Sequence, residues 1–192
     1  MIVPWNALSL VEAAAEPLIS MEDAKAHLGL GEFDDVDDSL NELIAAATNM
    51  IEGPDGAGLA LVTQTWRASL DGLPSSISIP LTPVQEIVSI TYLDTAGVVQ
   101  TIDPADYHVD VDRTPALVAF LKRPSDIANV PGCVKLTFTA GYGSADQTPA
   151  MARHAVRLLI GSWFNTREND SEAPLTEVPF GVTRILNQIR RF

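Results

Sequence analysis

The sequence predicts an α+β fold: packed helices with an inserted antiparallel β block and a C-terminal tail helix. Three observations carry this. Apolar residues recur at helical spacing over residues 20–52 and again from residue 149. Between them, residues 59–140 change to short β-rich runs separated by turn residues and prolines. A last amphipathic stripe then closes the chain. With 192 residues and a hydrophobic fraction of 46%, the chain can bury the core of one ordinary domain plus extensions. Residues 1–18 read as an N-terminal arm, 19–168 as the main domain, and 169–192 as a linker and C-terminal helix.

Residues 1–18 mix Pro, Trp and Ala without a period. Ser20 stands at a helix N-cap, with Asp23 in the capping-box position usually held by Glu or Gln. The first helix, residues 20–28, stops at Gly29 and Gly31. The second, residues 38–52, opens near Asp38 or Ser39. Leu40, Leu43, Ile44, Ala47, Met50 and Ile51 fall on one of its faces, and Gly53-Pro54-Asp55-Gly56 ends it.

Strand candidates follow at Val62–Leu70, Ile77–Leu81, Glu86–Leu93, Val98–Ile102, Tyr107–Val111, Ala116–Leu121 and Val134–Thr139. Asp94-Thr95-Ala96-Gly97 is a hairpin turn between two of them. Pro74, Pro80, Pro83, Pro104, Pro115, Pro124 and Pro131 sit between or at the edges of these runs, where they break no ladder. One antiparallel block of about six or seven strands is expected. Gly141 and Gly143 then permit a tight turn at positive φ. The third helix spans 149–164, with Pro149 in its first turn. Its apolar stripe is Ala152, Ala155, Val156, Leu159, Ile160 and Trp163, while Arg153 and Arg157 lie four apart on another face. After Arg167 the chain is polar and Pro-containing as far as Glu177. Val182, Ile185, Leu186 and Ile189 give the tail helix its stripe. The helices are expected to form one packed layer.

Charge is uneven. The chain carries 12 basic and 25 acidic side chains, a net charge of −13. Residues 1–60 hold 12 acids and one base, Lys25; residues 151–192 hold 4 acids and 6 bases. A face that grips nucleic-acid phosphates needs a basic surplus, so a general DNA or RNA binder is disfavoured. One cysteine, Cys133, cannot form an internal disulfide, and a reducing compartment fits. No apolar run approaches the roughly 18 residues that a membrane span needs. A soluble protein of cytoplasmic origin, with no membrane partner, is expected.

Few residues are candidates for chemistry. Asp34, Asp35, Asp37 and Asp38 do not match the spacing of a Ca²⁺ loop. They read as a solvated loop whose last acids favour the start of the second helix, exposed and without metal. Asp106, His108, Asp110 and Asp112 alternate and so share a strand face. Such a set could serve a small metal-dependent hydrolase. Period-two alternation with Tyr107, Val109 and Val111 opposite equally describes a half-exposed strand. Thr139-Ala140-Gly141-Tyr142-Gly143 resembles a potassium-filter loop only superficially, since no membrane span accompanies it. No G-x-S-x-G, phosphate loop, H-E-x-x-H or C-x-x-C occurs. His27, His108 and His154 are scattered. The residues therefore assign no catalytic group, metal ligand or cofactor, and no enzyme is expected.

Two segments carry a family resemblance. One runs from Asp37-Asp38-Ser39-Leu40 through Met50-Ile51-Glu52 to Leu61-Val62-Thr63-Gln64-Thr65-Trp66. The other runs from Val134-Lys135-Leu136-Thr137-Phe138 through Gly141-Tyr142-Gly143 and Pro149 to Leu158-Leu159-Ile160-Gly161-Ser162-Trp163-Phe164-Asn165-Thr166-Arg167-Glu168. With Val178-Pro179-Phe180-Gly181-Val182, Ile185 and Leu186 after them, they resemble the head–tail connector (adaptor) proteins of long-tailed phages and phage-like gene transfer agents. The resemblance covers about residues 20–190 and rests on the ordered combination rather than on one motif.

That resemblance implies a structural virion protein without enzymatic activity. It implies a homo-oligomeric ring, in this family usually a dodecamer, between the portal protein and a stopper or other tail-proximal neck protein. DNA would pass through its channel without sequence-specific binding, and assembly would take place in a bacterial host's cytoplasm. The packed helices would lie near the ring axis and the β block nearer the periphery. The C-terminal helix would dock on the portal through Phe180, Val182, Ile185, Leu186 and Ile189, with Arg184, Arg190 and Arg191 paired to portal carboxylates. Another neck or tail component, a stopper or tail terminator, is the alternative within the same class.

Overall fold

The computed structural model describes residues 1–31, 34–54, 56–168 and 180–189. The chain divides into two compact units, residues 1–15 with 63–141 and residues 16–62 with 142–192. The first is a β unit, whose residues 63–141 interrupt the second, a helical unit, in sequence. The α+β class follows directly from this arrangement.

The β unit holds two antiparallel sheets. Strands β1 (Leu8–Glu12), β2 (Gln64–Leu70), β4 (Val84–Leu93), β5 (Val99–Thr101) and β8 (Val134–Ala140) form a five-stranded sheet in the order β1-β2-β8-β4-β5. Strands β3 (Ser76–Ile79), β6 (Tyr107–Asp110) and β7 (Ala116–Phe120) form a three-stranded sheet in the order β3-β7-β6. Alternation sets the faces. Trp66, Ala68 and Leu70 stand opposite Phe138, Leu136 and Val134, and all six are buried. Ile90 continues this row beyond Leu136. Ile77 pairs with Val118 and Ile79 with Ala116 to bury one face of the smaller sheet.

The expected single block of six or seven strands is thus eight strands in two sheets. The additional strand comes from the segment read as an arm. Leu8 and Leu10 register with Ala68 and Trp66, but two alternating leucines in five residues are too short a signal to read as a period. Residues 1–3 also join the smaller sheet. The Met1 ammonium donates to the Ser76 carbonyl at 2.9 Å, and the Val3 N–H donates to the Ser78 carbonyl at 2.9 Å.

The hairpin turn forms as expected, around a buried aspartate. Asp94 Oδ1 accepts the N–H groups of Ala96 and Val98 at 2.9 Å each, and Oδ2 accepts the Gln100 amide at 2.8 Å. Gly97 closes the turn at φ 80°.

The helical unit contains α1 (Met21–Leu28), α2 (Asp37–Ile51), α3 (Ala150–Glu168) and α4 (Phe180–Ile189). Ser20 caps α1, its hydroxyl accepting the Asp23 N–H at 3.1 Å. Gly29, in the left-handed region at φ 72°, ends it. On α2, Leu40, Ile44, Ala47 and Ile51 are buried while Leu43 and Met50 are half-buried. All six residues of the stripe expected on the third helix are buried. That helix runs four residues beyond the expected end at 164, and Thr166 donates to the Ser162 carbonyl at 2.8 Å within the extension. α1 packs on α2 and α3, α2 on α3, and α3 on α4.

Candidate functional site

Six of the eight residues predicted to dock a partner lie on α4. The structure turns Val182 (0% exposed) and Ile185 (9%) inward, on a helix that packs against α3 of the same unit. Arg184 is exposed, as are Gly181, Thr183, Asn187 and Gln188. Phe180, Leu186 and Ile189 belong to α4. Arg190, Arg191 and the linker 169–179 lie outside the described residues. Within the predicted face, then, the free chain itself occupies Val182 and Ile185, and Arg184 is available. The inward turn follows from helix length: ten residues rarely hold helical form in water without a packed face.

The acidic stretch takes a shape that spacing alone did not reveal. Lys25, on α1, is buried to 9% exposure, and its ammonium lies 2.6 Å from Asp34 and 2.7 Å from Asp37. Asp37 is half-buried rather than exposed, which corrects the expectation of four solvated acids. The reason is that α2 packs on α1, and the Lys25 ammonium between them needs counter-charges. The hydrogen bond to Asp34, then that to Asp37, raise the Lys25 pKa against the opposing effect of burial. Asp35 and Asp38 remain exposed. A signal was present in the sequence: Lys25 is the one base among the first 60 residues.

Other candidates stay apart. His108 and Asp110 are exposed on β6, an edge strand, with Tyr107 and Val109 alternating opposite. Asp110 accepts the Arg113 N–H at 3.2 Å as a local turn cap. Among the described residues, no group of three or more His, Cys, Asp or Glu side chains could hold a metal ion. No helix among them is long and apolar enough to cross a membrane. Cys133 is a buried free thiol.

The glycine corner joins β8 to α3. Gly141 has φ 132° and Gly143 φ 115°, as the sequence predicted. The Tyr142 N–H donates to the Leu61 carbonyl at 2.9 Å, and the Thr148 hydroxyl donates to the same carbonyl at 3.1 Å. The corner and the segment before β2 are thereby tied together, and these are the two stretches that carried the resemblance.

Three solved structures share this fold. A chain of the virion of a native gene transfer agent particle aligns with TM-score 0.77 and 24% identity, over 95% of this chain and 94% of that one. A chain from the neck of an empty particle of that kind, computed with C6 symmetry, aligns with TM-score 0.75 and 24% identity over the same shares. A chain from the neck of a native particle, computed with C12 symmetry, aligns with TM-score 0.65 and 23% identity over the same shares. No family model and no curated protein matches the chain. At these identities the likeness is one of fold, and it runs through nearly the whole of both chains.

Proposed function

We propose that this chain is a head–tail connector (adaptor): a structural neck protein of a phage-like particle, forming a ring between portal and tail-proximal proteins. The observation that carries the reading is the end-to-end fold likeness to chains of gene transfer agent virions and necks. The six- and twelve-fold symmetry used for those necks favours a homo-oligomeric ring, with a dodecamer as the simplest case. The net charge of −13 suits a channel through which DNA slides without sticking. No catalytic role is part of the proposal.

The portal contact is assigned to the C-terminal segment. Arg184 is its exposed cation, and Arg190, Arg191, Phe180, Leu186 and Ile189 are the further candidates that the same segment carries. Val182 and Ile185, by contrast, hold α4 on α3. The test is Arg184→Glu beside deletion of residues 176–192, in a particle-producing system. The point variant leaves the buried side of α4 untouched, so its fold is retained. Attachment of DNA-filled heads to tails should fall several-fold with the point variant and be abolished by the deletion, giving tailless particles. Tailed particles at normal yield from the deletion would remove the docking role. A reconstruction without this chain at the neck would remove the connector reading altogether, and a place beyond the portal-proximal ring would favour a stopper or tail terminator.

A further inference from the structure

Among the described residues the most exposed large apolar side chain is Leu121, at 75%. It stands just after β7, at the start of the loop to β8, and is followed by two exposed bases, Lys122 and Arg123. This tip is held in place. The N–H groups of Leu121 and Lys122 both donate to the Asp106 carbonyl, at 2.8 and 3.1 Å. Arg123 reaches the Leu73 carbonyl at 3.4 Å. Neither base has an acidic partner among the described residues. An exposed apolar side chain on an anchored backbone, beside two bases without an acidic partner, on a chain of net charge −13, has the character of a contact rather than of a solvated loop.

The complementary surface lies on α2. Its outward stripe is Asp38, Asn41, Glu42, Ala45, Ala46 and Asn49, all exposed. Asp38 and Glu42 are like charges one turn apart, and neither has an ion-pair partner among the described residues. Such a pair weakens a helix on its own. Past them, the two alanines leave a flat step on which a leucine can lie. We infer that the Leu121–Arg123 tip of one copy seats on the outward face of α2 of the next copy, Leu121 over Ala45 and Ala46, the two bases against Glu42 and Asp38.

The inference rests on the ring reading and supplies that ring with a subunit contact. The dimensions agree. Asp38 to Ala46 spans about 12 Å of helix at 1.5 Å per residue. The three tip residues cover about 7 Å when extended, and the long stems of Lys and Arg bridge the remainder. The acids of β6 are the poorer seat, because their apolar neighbours Tyr107 and Val109 alternate to the other face. The contact joins two different patches, so each copy offers one of each. That is the head-to-tail arrangement from which closed rings are built.

Two full-length variants decide it: Lys122→Glu with Arg123→Glu, and Asp38→Lys with Glu42→Lys. All four side chains are exposed, so circular dichroism should show both variants folded. Each variant alone sets like charge against like. Its ring yield, counted in micrographs and by native mass spectrometry, should fall about tenfold or more. Mixed in equal amounts, the two should recover wild-type yield to within about twofold. In a ring of six or twelve, alternating copies then present opposite charges at every contact. Rings from either variant alone at wild-type yield, or no recovery on mixing, would overturn the inference and leave the connector reading standing. A wild-type chain that forms no ring, either free at high concentration or in purified particles, would overturn both.

Discussion

Gly143→Ala is the sharpest probe of the corner between β8 and α3. Gly143 has φ 115°, and a Cβ there would run into the side-chain amide of Gln147. That amide is already engaged: Gln147 Oε1 accepts the Ser144 N–H at 2.9 Å, in the capping box of the 3-10 turn Ala145–Gln147 that leads into α3. Two costs add. Holding a non-glycine residue in a sparsely populated φ region costs about 1–3 kcal/mol. Displacing the cap costs about 1 kcal/mol. Together they give about 2–4 kcal/mol, which at about 2–4 °C per kcal/mol for a chain of this size lowers the midpoint by about 4–16 °C. Two controls separate the terms in thermal and urea melts. Gly97, at φ 80° with nothing within 4 Å of a Cβ, carries the backbone term alone, about 1–2 kcal/mol as alanine. Gly72 meets nothing and has no left-handed φ, so its alanine variant should melt like the parent. A cycle with Gln147→Ala should give a coupling of at least about 0.5 kcal/mol. If Gly143→Ala melts with Gly97→Ala and the coupling is zero, the steric argument fails.

The titratable pairs give two further expectations. The Asp94 carboxyl is held below its usual range, first by the Gln100 amide and then by the Val98 N–H, against the effect of burial. Its stabilisation is therefore complete above the unfolded value of about 3.9 and lost as pH falls through the lower folded value. Asp94→Asn should lower the urea midpoint at pH 7 and flatten the acid limb below about pH 4; an unchanged acid limb would contradict the hairpin geometry. For Lys25 the sign is opposite. Its pKa is raised, first by Asp34 and then by Asp37, so its contribution is complete below about 10.4 and lost as pH rises through the higher folded value. Lys25→Met should flatten the alkaline limb above about pH 10, which stability measurements on either side of that pH would reveal.

Elements with a long period were legible from sequence. The stripe of α3 has six apolar positions at helical spacing, and burial of all six followed. The bounds of α1 were readable because Ser20 and Gly29 each satisfy a backbone group that the helix leaves open. What escaped was long-range. Leu8–Glu12 becomes a strand because Leu8 and Leu10 find Ala68 and Trp66, almost sixty residues away, and nothing local demands it. The division of strands between two sheets is likewise a matter of pairing, on which alternation is silent. The Lys25 clasp was hidden for the same reason, although a lone base amid acids invited the question. Of the docking residues, sequence gave the amphipathic face of α4 but not the surface that covers it, since a ten-residue apolar stripe fits its own domain and a partner equally well.

This last ambiguity bears on how docking would work. A helix of ten residues is about 15 Å long and marginal alone, so α4 is helical only while something covers its apolar side. α3 supplies that cover in the free chain. Burying Val182 and Ile185 is worth about 1.5–3 kcal/mol for each side chain. A portal that pulled α4 away would have to exceed that sum before it gained any affinity, and would leave the apolar face of α3 bare in the neck. A portal that met the exposed side, around Arg184, would find a helix already ordered and would forgo none of this packing. The second route costs less, so the proposed contact is a preordered helix presented by α3, with Arg184 facing the partner. The two routes differ in hydrogen exchange. Docking through the exposed side should leave protection of the α3 amides unchanged on portal binding, whereas extraction of α4 should lower it.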